Sequence, residues 1–388
     1  MAVIAPLLTV AVLIALRYAG RQRIESERYE NDETELVLSN LPAAQLALFK
    51  AGKNLQEAEP ISSFNGSRIW LPPGNYFVTA EQAARQVYYP VPIIAYRSGP
   101  DQDGSLIVTI RSLPTGSPPR SAPDSLDFVY IPSGHFLLGD RLNRQGPHYV
   151  WLTGFFINPF EVTNAEFTQF VDDPDGYAND VNWTEAGKRW KAGNTSKATA
   201  LLKKTDADFN RFGQSDQPVV KVNWYEANAF CRWLTRKMGA GKWLFALPNE
   251  AEWEKAARGP DGFDYSLGAA ISDDQVGLYN WKKNPSAEVT VVGLRDTQSH
   301  YLPNRYGLYH MTGNVSEWTQ SVARSYSRQH PYVDDDRNND ETPGQRVVRG
   351  GSWYTASVAV LYIAYRENFQ PEVVAPYLGF RIVARALP

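Results

Sequence analysis

The sequence predicts an α+β protein whose main body has little regular structure, preceded by a small β-sandwich and one N-terminal transmembrane helix. Three observations carry that prediction: an uncharged apolar opening, a run of short alternating strands before residue 114, and a long aromatic-rich remainder with few helical stretches. At 388 residues there is room for two or three domains. Charged residues at 21% and hydrophobic residues at 43% are an ordinary globular balance that can fill a sizeable core. The net charge of −3 and the lack of any long basic run argue against a charge-built nucleic-acid surface, so no nucleic-acid partner is expected.

The opening, "MAVIAPLLTVAVLIAL", carries no charge before Arg17. Counted to Gly20 it has roughly the 20 residues a bilayer-spanning helix needs, and Arg17 can snorkel to the interface. Residues 1–20 are therefore expected to contact membrane lipid as a single-pass anchor. A cleaved signal peptide would need a basic leading region, which is missing. Arg17, Arg21, Arg23 and Arg28 all follow the span, and the positive-inside rule would keep the body in the cytoplasm.

Residues 21–35 read as a charged linker or helix. From 36 to 113 the pattern changes to short strands. "SRIWLPPGNYFVTA" gives strand, turn at Pro72 to Asn75, and strand; "YYPVPIIAYRS" and "GSLIVTIRSL" add two more. So many short strands in so few residues predict a small β-sandwich. The Pro/Ser-rich stretch 114–125 marks a linker, and residues 126–388 read as one body. Within it "NAEFTQFVDD" and "WYEANAFCRWLTRKMG" follow helical spacing, the second with Gly239 as a C-cap. "PNEAEWEKAARG" is a third helix, with Asn249 as N-cap signal, Glu250 and Glu252 complementing the dipole, and Gly259 at its end. "QRVVRGG", "SVAVLYIAYR" and "LGFRIVAR" read as the closing strands.

Cysteine usage restricts the chemistry. Cys231 is the only one, so an intrachain disulfide and any multi-cysteine metal site are ruled out. His135, His148, His300, His310 and His330 show no H-x-E or H-x-x-x-H spacing, which argues against a histidine-rich metal site.

Seven segments then occur in order between Phe128 and Val383: "FVYIPSGHFLLGD", "FFINPFEVTNAEFTQFV", "QPVVKVNWYEANAFCRWL", "FALPNEAEWEKAARG", "PNRYGLYHMTGNVSEWT", "RVVRGGSW" and "YLGFRIV". Together they resemble the formylglycine-generating enzyme and sulfatase-modifying factor family, which implies a C-type-lectin-like fold for 126–388. In that fold Gly313 and Asn314 are expected in a tight turn and Trp318 buried nearby. Gly350 and Gly351 would allow close backbone approach, and Gly379 with Arg381 would close the last strand. "LPPGNYFVTA" is similar to the strand-turn-strand of PEGA-type surface domains.

The resemblance also says where chemistry should sit. The family's oxidising enzymes use an active-site cysteine pair that binds copper, since thiolates are soft ligands for Cu(I). Aligned on Arg366, that pair falls at Val358 and Ile363, neither of which can bind a metal. Cys231 lies on the apolar face of its helix, where a buried thiol is expected. Another branch of the family uses iron with three histidines and a helical domain, which this chain lacks. A calcium site of the family maps to His310, Gly313, Val315 and Glu317, with His310 a poor partner for a hard cation. A second calcium site would begin near Asn280, but its acidic loop is shortened to "KKNPSAEVTV". Asp140, Glu161, Glu226, Glu254 and Glu317 are the remaining candidate carboxylates, and Ser352 has no histidine in recognisable relation to it.

These readings converge on a non-catalytic, membrane-anchored scaffold or binding protein that needs no catalytic cofactor. Its expected partners are subunits of a larger membrane complex, respiratory or photosynthetic complexes being examples. A carbohydrate- or protein-binding surface module and an oxidoreductase with unrecognised chemistry are the alternatives. Lectin-like and PEGA-like modules on single anchors are usually extracytoplasmic, so the resemblance places the body on the periplasmic face, against the arginines.

Overall fold

A computed structural model describes residues 34–39, 46–94, 105–119, 127–139, 147–271, 302–326 and 331–387, apart from positions 63, 65, 66, 83, 84, 112, 115, 334 and 356. In strand β1 (Thr34–Ser39) every second residue is buried, as one inward face requires. It is the middle strand of a sheet, antiparallel to β4 (Arg68–Leu71) and parallel to β7 (Leu106–Thr109). The second sheet orders β3 (Glu59–Pro60), β2 (Leu46–Lys50), β5 (Gly74–Gln82) and β6 (Arg85–Ile93). The two sheets share one core of Leu36, Leu38, Leu48, Val78, Val91, Leu106 and neighbours. The first strand starts at Thr34, inside the segment 21–35 expected to be linker, because Thr34 pairs with Leu71.

Two further four-stranded sheets form the body. One orders β12 (Trp243–Ala246), β17 (Val383–Ala386), β11 (Phe155–Ile157) and β8 (Val129–Ile131). The other orders β15 (Glu367–Phe369), β14 (Arg346–Arg349), β13 (Ser316–Val322) and β16 (Leu378–Gly379). A hairpin of β9 (Gly134–Leu138) and β10 (His148–Leu152) completes the strands. Six helices accompany them among the described residues: α1 (Asn164–Asp172), α2 (Glu185–Gly193), α3 (Lys197–Leu202), α4 (Phe209–Phe212), α5 (Trp224–Met238) and α6 (Glu250–Arg258). Thr163, Asn223 and Asn249 each close a capping box on α1, α5 and α6, satisfying amides that a helix start leaves bare.

Two expectations need correction. "SVAVLYIAYR" is not a strand: Val358–Leu361 is a 3-10 turn followed by irregular chain. Its apolar run packs into loops, because Gly351 approaches so closely that a Cβ there would lie 2.7 Å from Leu361. "LGFRIVAR" is two strands rather than one, β16 and β17, which belong to different sheets. Among the described residues no helix is long and apolar enough to cross a membrane. The segment 1–20 read as an anchor lies outside those residues.

The sandwich is tied to the body by specific contacts. Asn75 Nδ2 donates to Gly262 O at 3.1 Å, Arg305 Nη2 to Leu55 O at 2.8 Å, and Tyr149 OH to Pro92 O at 2.7 Å. Gly262 has φ +69°, and a Cβ there would meet the Asn75 side chain at 3.0 Å, so the seam itself calls for glycine.

Candidate functional site

The stretch aligned with the family's thiol pair puts its two positions in unlike environments. Val358, in the 3-10 turn, is 49% exposed, whereas Ile363 is fully buried. Ile363 is fixed by backbone bonds: its N–H donates to Asp264 O at 2.9 Å, and its carbonyl accepts from Arg349 Nη1 at 2.8 Å. Cys231 sits in α5, 1% exposed, and burial pushes its thiol well above the ordinary value, away from the thiolate that a metal needs. The side chains of Val358 and Ile363 carry no donor atom and do not fit copper.

The conspicuous feature behind this stretch is buried charge. Arg349, from "RVVRGG", reaches Glu254 at 2.9 Å and Glu250 at 3.4 Å, both on α6. Arg366 adds a 2.7 Å contact to Glu250, and Arg258 pairs with Glu254 at 2.9 Å. Burial alone would raise the Glu254 carboxyl, but Arg258 and Arg349 outweigh it and hold it below the usual range. The sequence singled out Glu254; its pairing with Arg349 was not visible because the two lie 95 positions apart along the chain.

The mapped calcium set is occupied by the protein itself. Arg381 donates from Nε and Nη2 to the two Glu317 oxygens, each at 2.7 Å, and Trp253 Nε1 adds a bond at 2.8 Å. His310 Nδ1 lies 3.0 Å from Glu161, which also accepts from Asn314 Nδ2 at 2.8 Å. Gly313 and Asn314 do form the expected left-handed turn, with φ +86° and +60°. Val315 is wholly buried. A guanidinium therefore satisfies the carboxylate that a cation would use, so this donor set does not fit calcium. Among the described residues no group of three or more His, Cys, Asp or Glu is placed to hold a metal.

The remaining candidates are placed individually. Glu226 accepts from the Asn223 amide at 3.0 Å and from Tyr177 OH at 3.0 Å, which makes it the capping residue of α5. Ser352 Oγ accepts from the Tyr354 amide at 3.3 Å within a turn. Asp140 and Asn280 lie outside the described residues. Sequence reasoning missed Lys255, which is buried on α6 and donates to the carbonyls of Pro132 at 2.7 Å and Gly134 at 3.0 Å. Desolvation lowers its amine to about 7. Its signal was visible: a lysine between Trp253–Glu254 and Ala256–Ala257 falls on a helix whose every residue is buried.

A groove of about 390 Å³ runs beside α5, lined by Asn228, Arg232, Arg236, Leu244 and Asp340 with Cys231 at its side. Arg232 is already paired with Asp340 at 2.8 Å and Glu341 at 3.1 Å. The Arg232 charge in the groove is thus already matched, while Leu244, Phe245 and Ala246 give it an apolar wall.

A profile of the sulfatase-modifying factor enzyme 1-like domain matches residues 115–386. The chain belongs to that family. It is 30% identical over 291 residues to a formylglycine-generating enzyme of Streptomyces coelicolor, covering 65% of this chain and 87% of that one. It is 29% identical over 287 residues to the inactive C-alpha-formylglycine-generating enzyme 2 of Mus musculus, covering 66% and 85%. Among solved structures, Treponema denticola variable protein 1 aligns with a TM-score of 0.47 and 23% identity, over 70% of this chain and all of that one. The family thus holds members named as enzymes and members named as inactive.

Proposed function

We propose that this protein is a non-catalytic member of the sulfatase-modifying factor family that acts as a membrane-anchored scaffold, an accessory subunit in a larger membrane assembly. The observation that carries the proposal is the fate of sulfur. The whole chain has one cysteine, buried in α5 with a strongly disfavoured thiolate, while Val358 and Ile363 stand at the positions aligned with the thiol pair. A relative named as inactive supports a non-catalytic reading within the family. The charges behind the stretch are paired with one another and support packing. The uncharged run before Arg17 supports anchoring, and a sandwich bonded across a seam to the body supports a rigid docking role.

The test is direct. Full-length protein purified in mild detergent is incubated with Cu(I) and with a cysteine-bearing sulfatase peptide, then analysed for bound metal and for the aldehyde product. Neither stoichiometric copper nor aldehyde is expected, and either one would overturn the non-catalytic reading. The scaffold reading further requires a complex of fixed stoichiometry in the same detergent; a chain that purifies only alone would count against it.

A further inference from the structure

The register of the β4–β1–β7 sheet sorts its side chains cleanly. Leu36, Leu38, Leu106 and Val108 enter the sandwich core. The alternate positions share the opposite face: Glu35 pairs with Trp70, Val37 with Arg68 and Ile107, and Ser39 with Thr109. A side-chain bond of 3.0 Å between Ser39 and Thr109 agrees with that assignment. Trp70 is 60% exposed and Ile107 38%. Two residues beyond β7, Arg111 lies 5.9 Å over the ring of Trp151, which is itself 46% exposed on β10.

An outward sheet face in water normally carries polar residues. Beside Glu35, Arg68, Ser39 and Thr109, this one carries Trp70, Val37 and Ile107, and Trp151 of the neighbouring hairpin flanks it beneath Arg111. Indole with arginine is the composition of a membrane–water interface, where the ring sits at headgroup level and the guanidinium meets phosphate. The chain's own order points to the same occupant. The apolar run ending at Gly20 leads through residues 21–33 directly into β1, the central strand of this sheet. Fully extended, those linking residues reach at most about 45 Å, and any helix in them shortens the tether. We infer that the outer face of the β4–β1–β7 sheet, with Trp70, Ile107 and Trp151, rests on the lipid surface beside the anchor and fixes how the body stands on the membrane. The inference rests on the anchor reading proposed above. Arg68 is bonded to Glu35 at 3.2 Å, so the contact relies on the rings and aliphatic groups more than on net charge.

The experiment uses full-length protein in nanodiscs of phosphatidylcholine and phosphatidylglycerol. Because Cys231 is buried, single cysteines introduced by Trp70→Cys, Ile107→Cys and, on the body, Val181→Cys can be labelled selectively with an environment-sensitive fluorophore. Lipids carrying a doxyl quencher near the headgroup should quench the probes at 70 and 107 several-fold more than the probe at 181, whose exposure falls between theirs. Equal quenching at all three sites, in protein that floats with its lipid through a density gradient, overturns the lipid-facing sheet and leaves the anchor standing. Protein that fails to float overturns both. Probes at 70 and 107 that are shielded from aqueous iodide yet not reached by the lipid quencher would mean that a protein partner covers the face, which also overturns the inference.

Discussion

The sandwich and the body bury their interiors with different chemistry. The sandwich core is aliphatic with a few tyrosines, and it comes from alternating strands in two sheets. The body buries aromatic rings packed edge-on, tilted and stacked around α5, among them Phe167, Phe170, Phe230 and Trp233. It also buries Glu250, Glu254, Glu317, Arg349 and Arg381, all nearly or wholly inaccessible. Aliphatic burial is non-directional and forgiving of small shifts, whereas a buried ion pair demands its partner in place. The comparison teaches where each half is fragile: the sandwich through lost area, the body through an orphaned charge.

The strongest attempt to break this contrast removes one guanidinium. Arg381→Met leaves the Glu317 carboxylate buried with Trp253 as its remaining side-chain donor, and should cost about 3–5 kcal/mol in denaturant unfolding. Replacing the partner as well, in Glu317→Gln with Arg381→Met, should recover part of that loss. A cost under about 1 kcal/mol would mean that water or another cation reaches Glu317, and the body's dependence on paired charge would fall.

In the sandwich the matching substitution is Leu36→Ala, which empties a wholly buried site and should cost about 2–5 kcal/mol. Amide hydrogen exchange sharpens the comparison. Protection on β1 and β7 should fall while the α6 amides keep theirs; loss on both would show that the seam at Asn75 and Gly262 couples the two halves.

Lys255 offers a pH test of the body alone. Its amine titrates at about 7 when buried, against an ordinary lysine value of 10.5 when unfolded. Between those values the unfolded chain binds the extra proton, so this group makes stability rise with pH through that window, by at most about 1.4 kcal/mol per pH unit. Measured from pH 7 to 9, the difference between wild type and Lys255→Met should grow in favour of wild type as pH rises. A difference that stays flat would place the amine's titration elsewhere.

The same contrast explains what could be read from the sequence. Strands β4 to β7 were legible as short apolar runs between turn signals, whereas β1, despite the period-two burial of "TELVLS", was partly read as linker. Helices α1, α5 and α6 were legible from apolar spacing and caps. Helices α2 and α3 were not, since each turns only a short apolar face inward, Ala186 with Trp190 and Ala198 with Leu201; Thr184 and Ser196 as N-caps were the available signal. "SVAVLYIAYR" misled because its apolar, β-branched residues read as a strand, whereas Val358–Leu361 forms a 3-10 turn that buries only Leu361, against Gly351. The absent thiol pair was legible from composition alone. The fate of Glu317 was not, because Arg381, the residue that claims it, is sixty-four positions away.

The smallest effect probes how a body with so little regular structure fixes its central helix. Asn249 accepts from the Glu252 amide at 2.8 Å, and Glu252 returns a bond to the Asn249 amide at 2.8 Å. Glu252 is also held from outside the helix by Arg385 Nε at 2.7 Å, which joins the start of α6 to β17. Asn249→Ala should therefore cost about 1 kcal/mol, the usual loss for an N-cap, because Arg385 keeps Glu252 aligned on the remaining amide. Removing Arg385 first should raise that cost, and a double-mutant cycle by thermal unfolding reads the coupling. Strict additivity would show that the cap and the sheet hold α6 independently, in which case the body's order rests on separate local devices instead of one connected network of charge.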